Sequence, residues 1–248
     1  MLKRQVQTAL RTLFPPSCSA CDGLVDSDFA LCGLCWRELP FISGPVCTKC
    51  GIGILGESAD EHACCDDCIK QERPWNSGRA AMMYTGLARS LVLRLKHGDR
   101  PDIAKTAAVW LESAARPMLT NETVIVPVPL HWSRLVKQKF NQSALLSQNL
   151  ALKSHLLTIP DALVRVRKTA PLDGAVVDER FRRLSGAIEA SPKRAHKLQG
   201  KPVLIVDDVM TSGATLAAAT EACHQAGASK VNVLVLARVG KDDYMNTG

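Results

Sequence analysis

The stretch VLIVDDVMTSGAT, residues 203–215, decides how the rest of this chain is read. Four aliphatic residues, Val203 to Val206, leave no polar face, the pattern of a strand covered on both sides in a parallel sheet. Two adjacent carboxylates, Asp207 and Asp208, follow at the strand's tip, where their mutual repulsion costs stability unless a ligand or hydrogen-bond donors offset it. The turn Thr211-Ser212-Gly213-Ala214-Thr215 then opens a helix whose first N–H groups lack internal acceptors, so hydroxyls and a glycine meet at a natural anion site. Acceptors for sugar hydroxyls therefore stand beside a phosphate cradle. An ATPase strand ending in acids would need a G-x4-G-K-[ST] loop elsewhere, and the chain has none.

Outward from this segment, VIVPVP (124–129), ALVRV (162–166), PVLIVDD (202–208) and VNVLVLA (231–237) read as strands. Residues 102–116, 142–152 and 215–226 carry helical spacing, and Gly227 is placed to stop the last helix. The alternation predicts an α/β domain over 79–248, a mostly parallel sheet with helices on both faces and ligands bound beyond the carboxyl ends of its strands.

Upstream the chemistry changes. Nine of the ten cysteines lie in the first 68 positions, leaving Cys223, an expected small core residue, for the rest. Residues 1–78 hold 7 Lys+Arg against 10 Asp+Glu, and residues 79–248 hold 24 against 14, so the whole-chain charge of +7 belongs to the second unit. Two units meet near residue 75, and Trp75 reads as a pin for the linker.

The cysteines form four C-x2-C pairs: Cys18/Cys21, Cys32/Cys35, Cys47/Cys50 and Cys65/Cys68. Two intervening residues let both thiolates of a pair face one tetrahedral ion, so eight cysteines imply two structural zinc sites, a double zinc ribbon over 17–73. The spacing leaves sequential and interleaved pairing both open. Cys64 and His62 are spare ligands beside the last pair, and Cys65 is favoured because it keeps the spacing. With few large apolar residues here, metal supplies much of the folding free energy.

Residues 1–16 read as a short amphipathic helix ended by Pro15 and Pro16, without the uninterrupted apolar core of a secretory signal. No apolar run is long enough to span a bilayer, and reduced cysteines fit the cytoplasm.

Segment 203–215 resembles the thirteen-residue phosphoribosyl pyrophosphate (PRPP) motif of type I phosphoribosyltransferases. With YTGLARSLVLRLKHGDR (84–100), VPVPL (126–130), FNQS (140–143) and the C-x2-C pairs upstream, nearly the whole chain is similar to the ComF/GntX family of competence-associated proteins. The resemblance implies that Asp207 and Asp208 are the catalytic acids holding the ribose 2′ and 3′ hydroxyls. It implies that Thr211, Ser212, Gly213, Ala214 and Thr215 hold the 5′-phosphate, and that Mg²⁺ bridges pyrophosphate and ribose oxygens. The turn after Pro129 would be the pyrophosphate loop, and residues 167–183 a loop closing over the site, with Arg180 and Arg183 available for pyrophosphate. The implied role is handling single-stranded DNA in natural transformation or DNA utilisation, with other competence or DNA-processing proteins as partners. Two further readings use the same residues: a base-salvage phosphoribosyltransferase, and a PRPP-sensing regulator without turnover.

Two departures stand out. The family commonly reads R-x2-R-R-G-F-N-Q, whereas residues 134–142 here are RLVKQKFNQ, without the glycine. A usual T-x2-Q becomes Thr169-Ala170-Pro171-Leu172, without the glutamine. Residues 134–201 carry 14 Lys+Arg against 5 Asp+Glu, a basic stretch suited to PRPP and permitting single-stranded nucleic acid, with Trp132, Phe140 and Phe181 as its aromatics. Lys96 and His97 read as a basic cluster at a helix end.

Overall fold

The computed structural model describes residues 15–56, 63–97, 100–167 and 177–240. The expected N-terminal helix (1–16) lies outside the described residues except for its two prolines. His62 and the 168–176 part of the expected closing loop, with Thr169, also lie outside them.

Five parallel strands form the central sheet: β1 (Ser77–Met83), β2 (Val124–Pro127), β3 (Leu157–Thr158), β6 (Pro202–Met210) and β7 (Lys230–Arg238). Their order is β1-β7-β6-β2-β3, which puts the acidic strand in the middle. Val203 and Ile205 join one apolar core and Leu204 and Val206 the other, because successive side chains on a strand alternate faces. The first core is covered by α8 (Ala214–Gln225), whose alanines allow close approach to the sheet. It also holds Cys223, whose thiol is pushed up to about 12 by burial and is chemically inert. The second core is covered by α3 (Gly86–Lys96), α4 (Ile103–Ala115) and α6 (Gln142–Ser154) through Leu91, Leu95, Trp110, Leu111, Leu146 and Leu150. Gly227, at φ +82°, follows α8 as expected of a C′ residue.

The run at 162–166 does form a strand, β4 (Leu163–Arg165), but outside the main sheet. It pairs antiparallel with β5 (Ile188–Ala190) in a two-stranded ribbon. Only Leu163 of β4 is buried, so it lacks the two covered faces that mark β6. A short helix, α7 (Val177–Leu184), packs beside this ribbon and against α8.

The cysteine-rich region contributes α1 (Gly33–Glu38) and α2 (Asp66–Lys70). The compositional boundary near residue 75 is not a break in packing. Cys47, Cys50, Cys68 and Trp75 lie in the same core as Val203, Val233 and Ala217. On the other side, Trp36, Phe41 and Trp110 stack in series, with ring centroids 4.9 and 5.4 Å apart. No helix among the described residues is long and apolar enough to cross a membrane.

Candidate functional site

The sulfurs fall into two tetrads, Cys18/Cys21/Cys32/Cys35 and Cys47/Cys50/Cys65/Cys68, each with all its Sγ atoms within 4.8 Å of one another. Pairing is therefore sequential. Cys65 takes the fourth corner of the second tetrad, while Cys64 Sγ lies 3.6 Å from Thr48 Oγ1. Thiolates about 2.3 Å from one zinc ion stand about 3.8 Å apart at tetrahedral angles. Cys21 and Cys32 are 3.7 Å apart and Cys50 and Cys65 3.6 Å, so the donor set fits zinc and is far too open for disulfides. Backbone N–H groups of Ala20 and Cys32 donate to Cys18 Sγ at 3.5 and 3.3 Å, the hydrogen bonding that orients a thiolate ligand.

Four thiolates on a divalent ion leave net negative charge. At the second tetrad it is met by the charge of Arg238, which favours the Cys50 thiolate, and by Arg79, which interacts with Cys47.

Asp207 and Asp208 lie within β6 rather than past its end, because the strand runs on to Met210. Both are nonetheless drawn to one place by residues from two helices. Ser143 Oγ, in the first turn of α6, donates to Asp207 Oδ1 at 2.7 Å. Lys96 Nζ, at the end of α3, stands 3.3 Å from Asp208 Oδ2. Burial, with Asp208's charge added, pushes Asp207 up to about 7 against the pull of Ser143 and Lys96. Burial works against the Lys96 ammonium, but Asp208 and Asp207 outweigh it and hold its pKa above the ordinary value.

The FNQS segment builds this geometry. Asn141 caps α6 by accepting from Ser143 N at 3.0 Å, and its Nδ2 donates to the Val128 carbonyl at 2.9 Å, tying the helix to the end of β2. Gln142 Nε2 donates to the Lys96 carbonyl at 2.9 Å, strapping α3 to α6. Sequence reasoning singled out FNQS without giving its side chains these tasks, and it placed Lys96 at a helix end without its acidic partners. For FNQS the readable signal is an N-capping asparagine followed by polar residues at a helix start; Lys96 carries none.

The turn after β2 leads to α5 (Trp132–Gln138), capped by His131, whose Nδ1 lies 2.9 Å from Ser133 Oγ. After it Lys139 takes φ +66°. This is the position at which the family pattern carries glycine, and the backbone keeps the conformation that glycine favours.

At the other end of the site, Gly213 caps α8 at φ +85°, with Ser212 and Ala214 buried, Thr215 half-buried and Thr211 exposed. Arg183 pairs with Glu179 at 2.5 Å on α7 rather than with the acidic strand, and Arg180 is half-buried on the same helix.

Two family models match the chain: a double zinc ribbon domain over residues 9–69 and a phosphoribosyl transferase domain over 145–246. Competence protein F of Haemophilus influenzae is 28% identical over 213 residues, 84% of this chain and 90% of that protein. DNA utilization protein YhgH of Salmonella typhi is 30% identical over 220 residues, 86% of this chain and 92% of that protein. Among solved structures, the glutamine PRPP amidotransferase from B. subtilis, complexed with ADP and GMP, aligns with a TM-score of 0.35 and 19% identity. That alignment covers 56% of this chain and 26% of the other, too partial to weigh on the fold.

Proposed function

The chain belongs to the family of competence protein F and DNA utilization protein YhgH, a double zinc ribbon joined to a phosphoribosyltransferase domain, and from that premise we propose that it is a PRPP-binding protein of DNA utilisation. The observation that carries the reading is the placement of Asp207 and Asp208 near the end of the central strand, two residues before a helix-opening loop of hydroxyls and glycine, with Ser143 and Lys96 converging on them. Carboxylates accept from the ribose hydroxyls, and the Thr211–Thr215 loop takes the 5′-phosphate. Mg²⁺ accompanies PRPP and neutralises its pyrophosphate. Lys96 and Ser143 set the charge and orientation of the acids. The eight tetrad cysteines hold two structural zinc ions, a state that requires a reducing compartment such as the cytoplasm.

The second ligand in this reading is single-stranded DNA. It is supported by the basic stretch 134–201 and by Trp132, whose indole stands exposed on α5 beside the turn after β2. A backbone-tracking basic surface with aromatic platforms is sequence-tolerant, as DNA handling requires.

Calorimetric titration with Mg²⁺ and PRPP tests the first half. The intact protein binds, and Asp207→Asn with Asp208→Asn lowers affinity by about a hundredfold or more. Absence of binding by the intact protein overturns the reading. Binding also reports Asp207 directly. Its pKa in the ligand-free protein is raised to about 7, so the carboxylate that accepts ribose hydroxyls is lost as pH falls through that value. PRPP affinity therefore rises between about pH 6 and 8, and the dependence flattens in Asp207→Asn. Single-stranded DNA binding falls steeply with salt, and its absence at low salt removes the DNA half. Pyrophosphate release with a free base present separates a salvage enzyme from a protein that binds PRPP without turnover.

A further inference from the structure

Beneath the Thr211–Thr215 loop lies Arg73, contributed by the segment leaving the second zinc tetrad. Its side chain is 5% exposed, and Nη1 donates to the Ser212 carbonyl at 2.6 Å. The guanidinium carbon lies 5.7 Å from the Trp75 ring centroid and 5.8 Å from that of Phe181. A Cβ on Gly213 would meet Trp75 Cη2 at 3.0 Å and Arg73 Nη1 at 3.1 Å, so a side chain here would push both aside as well as take a strained positive φ. Trp75 is itself held by the metal-binding turn. Its Nε1 donates to the Lys49 carbonyl at 2.5 Å, and Lys49 Nζ returns bonds to the carbonyls of Trp75 and Asn76 at 3.0 and 3.1 Å. Lys49 sits between the tetrad members Cys47 and Cys50.

Two physical consequences follow. In a trans peptide the C=O and the next N–H point in opposite directions, and the described residues contain no cis bond. Drawing the Ser212 carbonyl down to Arg73 therefore turns the Gly213 N–H upward. Arg238 does the same for Ser212 N–H by holding the Thr211 carbonyl at 2.8 Å. Neither N–H meets an acceptor among the described residues. Second, Arg73 Nε is buried without a hydrogen-bond partner, and Arg73 is in no ion pair among the described residues. A buried cation without a counter-charge is costly, and an anion seated on the loop above it removes part of that cost.

We propose that Arg73 is a positioning residue for the ligand's 5′-phosphate. It orients the loop N–H groups and supplies the field beneath them, and through Trp75 and Lys49 the second zinc ribbon is a structural part of the ligand site. The proposal rests on the PRPP reading above.

The test uses the full-length, zinc-loaded protein and two half-ligands: ribose 5-phosphate, which engages the loop, and pyrophosphate, which does not. Arg73→Met weakens ribose 5-phosphate about tenfold to a hundredfold and leaves pyrophosphate unchanged. In ³¹P NMR titration the pKa of the bound phosphate rises in Arg73→Met and returns in Arg73→Lys, because the nearby positive charge is restored. Equal losses for both half-ligands, or an unmoved phosphate pKa, mean that Arg73 is merely structural and overturn the proposal. If Arg73→Met does not fold, Trp75→Phe carries the test, since it removes the bond to Lys49 and the part of the ring that packs beside Arg73 and Gly213 while leaving Arg73 itself in place. Weaker ribose 5-phosphate with intact pyrophosphate binding supports the proposal, and no change overturns it. Failure of the unaltered protein to bind ribose 5-phosphate or PRPP defeats the underlying reading instead.

Discussion

The two cysteine tetrads have the same donors and the same pair spacing, yet they occupy different physical settings. The first is closer to the surface, with Cys18 and Cys35 buried but Cys21 exposed and Cys32 half-buried, and it is held to the domain by polar contacts at its rim as well as by the Trp36, Phe41 and Trp110 rings. Ser19 Oγ lies 3.0 Å from Thr106 Oγ1, Arg94 donates to the Ala20 carbonyl at 2.6 Å, and Asp22 pairs with Arg94 and Arg100. The second is inside the main core, with Cys47 and Cys50 fully buried and its turn pressed on β1, where Gly78 N donates to the Thr48 carbonyl at 2.8 Å. A metal ligand set alone therefore does not say whether a ribbon is an appendage or a keystone. The surface that its turn presents decides it.

The largest test of this contrast is Cys50→Ser against Cys21→Ser. Loss of the buried site removes much of the stabilisation that a structural zinc supplies and lowers Tm by roughly 15 °C, with PRPP binding lost alongside. Cys21→Ser shifts Tm less and leaves PRPP affinity unchanged. Equal effects in calorimetry and titration would erase the distinction.

A smaller effect comes from the glycines of the two turns. Gly51 has φ +73°, and a Cβ there would come 2.4 Å from Ala80 N, so Gly51→Ala costs about 3 kcal/mol in chemical denaturation. At Gly23 a Cβ would meet only Cys21 Sγ at 3.4 Å, and the same change stays within about 0.5 kcal/mol.

The smallest concerns the rim of the first site. Desolvation raises the Asp22 carboxyl, but Arg100 and Arg94 together outweigh it and hold it below the ordinary aspartate range. A depressed folded pKa contributes stability that is present above the unfolded value and lost as pH falls through the folded one. Asp22 is largely exposed, so Asp22→Asn costs under about 1 kcal/mol at neutral pH, less in high salt and nothing once pH has fallen below the folded-state pKa. A loss that persists in strong acid would show that the pair is not what clamps this ribbon.

What was readable before the structure follows the range of the forces involved. Val203–Val206 and Val231–Ala237 declared themselves because burial on both faces demands aliphatic runs, and the C-x2-C spacing because a thiolate pair must reach one ion. β1 escaped notice: SGRAAMM has no β-branched residue, and Gly78 is required by the ribbon, where a Cβ would strike the Lys49 carbonyl at 2.3 Å. Lys96 escaped because its partner lies more than a hundred positions away, a distance that periodicity does not bridge. The 162–166 run was right as a strand and wrong as a member of the main sheet, since alternation marks one covered face but does not say which sheet covers it. Lys139 is the converse case. The glycine of the family pattern is missing, yet the backbone takes φ +66° regardless, followed by the Asn141 cap and its bond to Val128.

The strand order has a consequence for how the chain is made. β1 is the first strand of the sheet to leave the ribosome, and its sheet neighbour β7 is the last. Thiolates and zinc can close both tetrads early in synthesis, yet the second ribbon's seat on β1 is completed only when residues 230–238 emerge. A chain shortened before Lys230 would keep every metal ligand and still release the ribbon from the sheet.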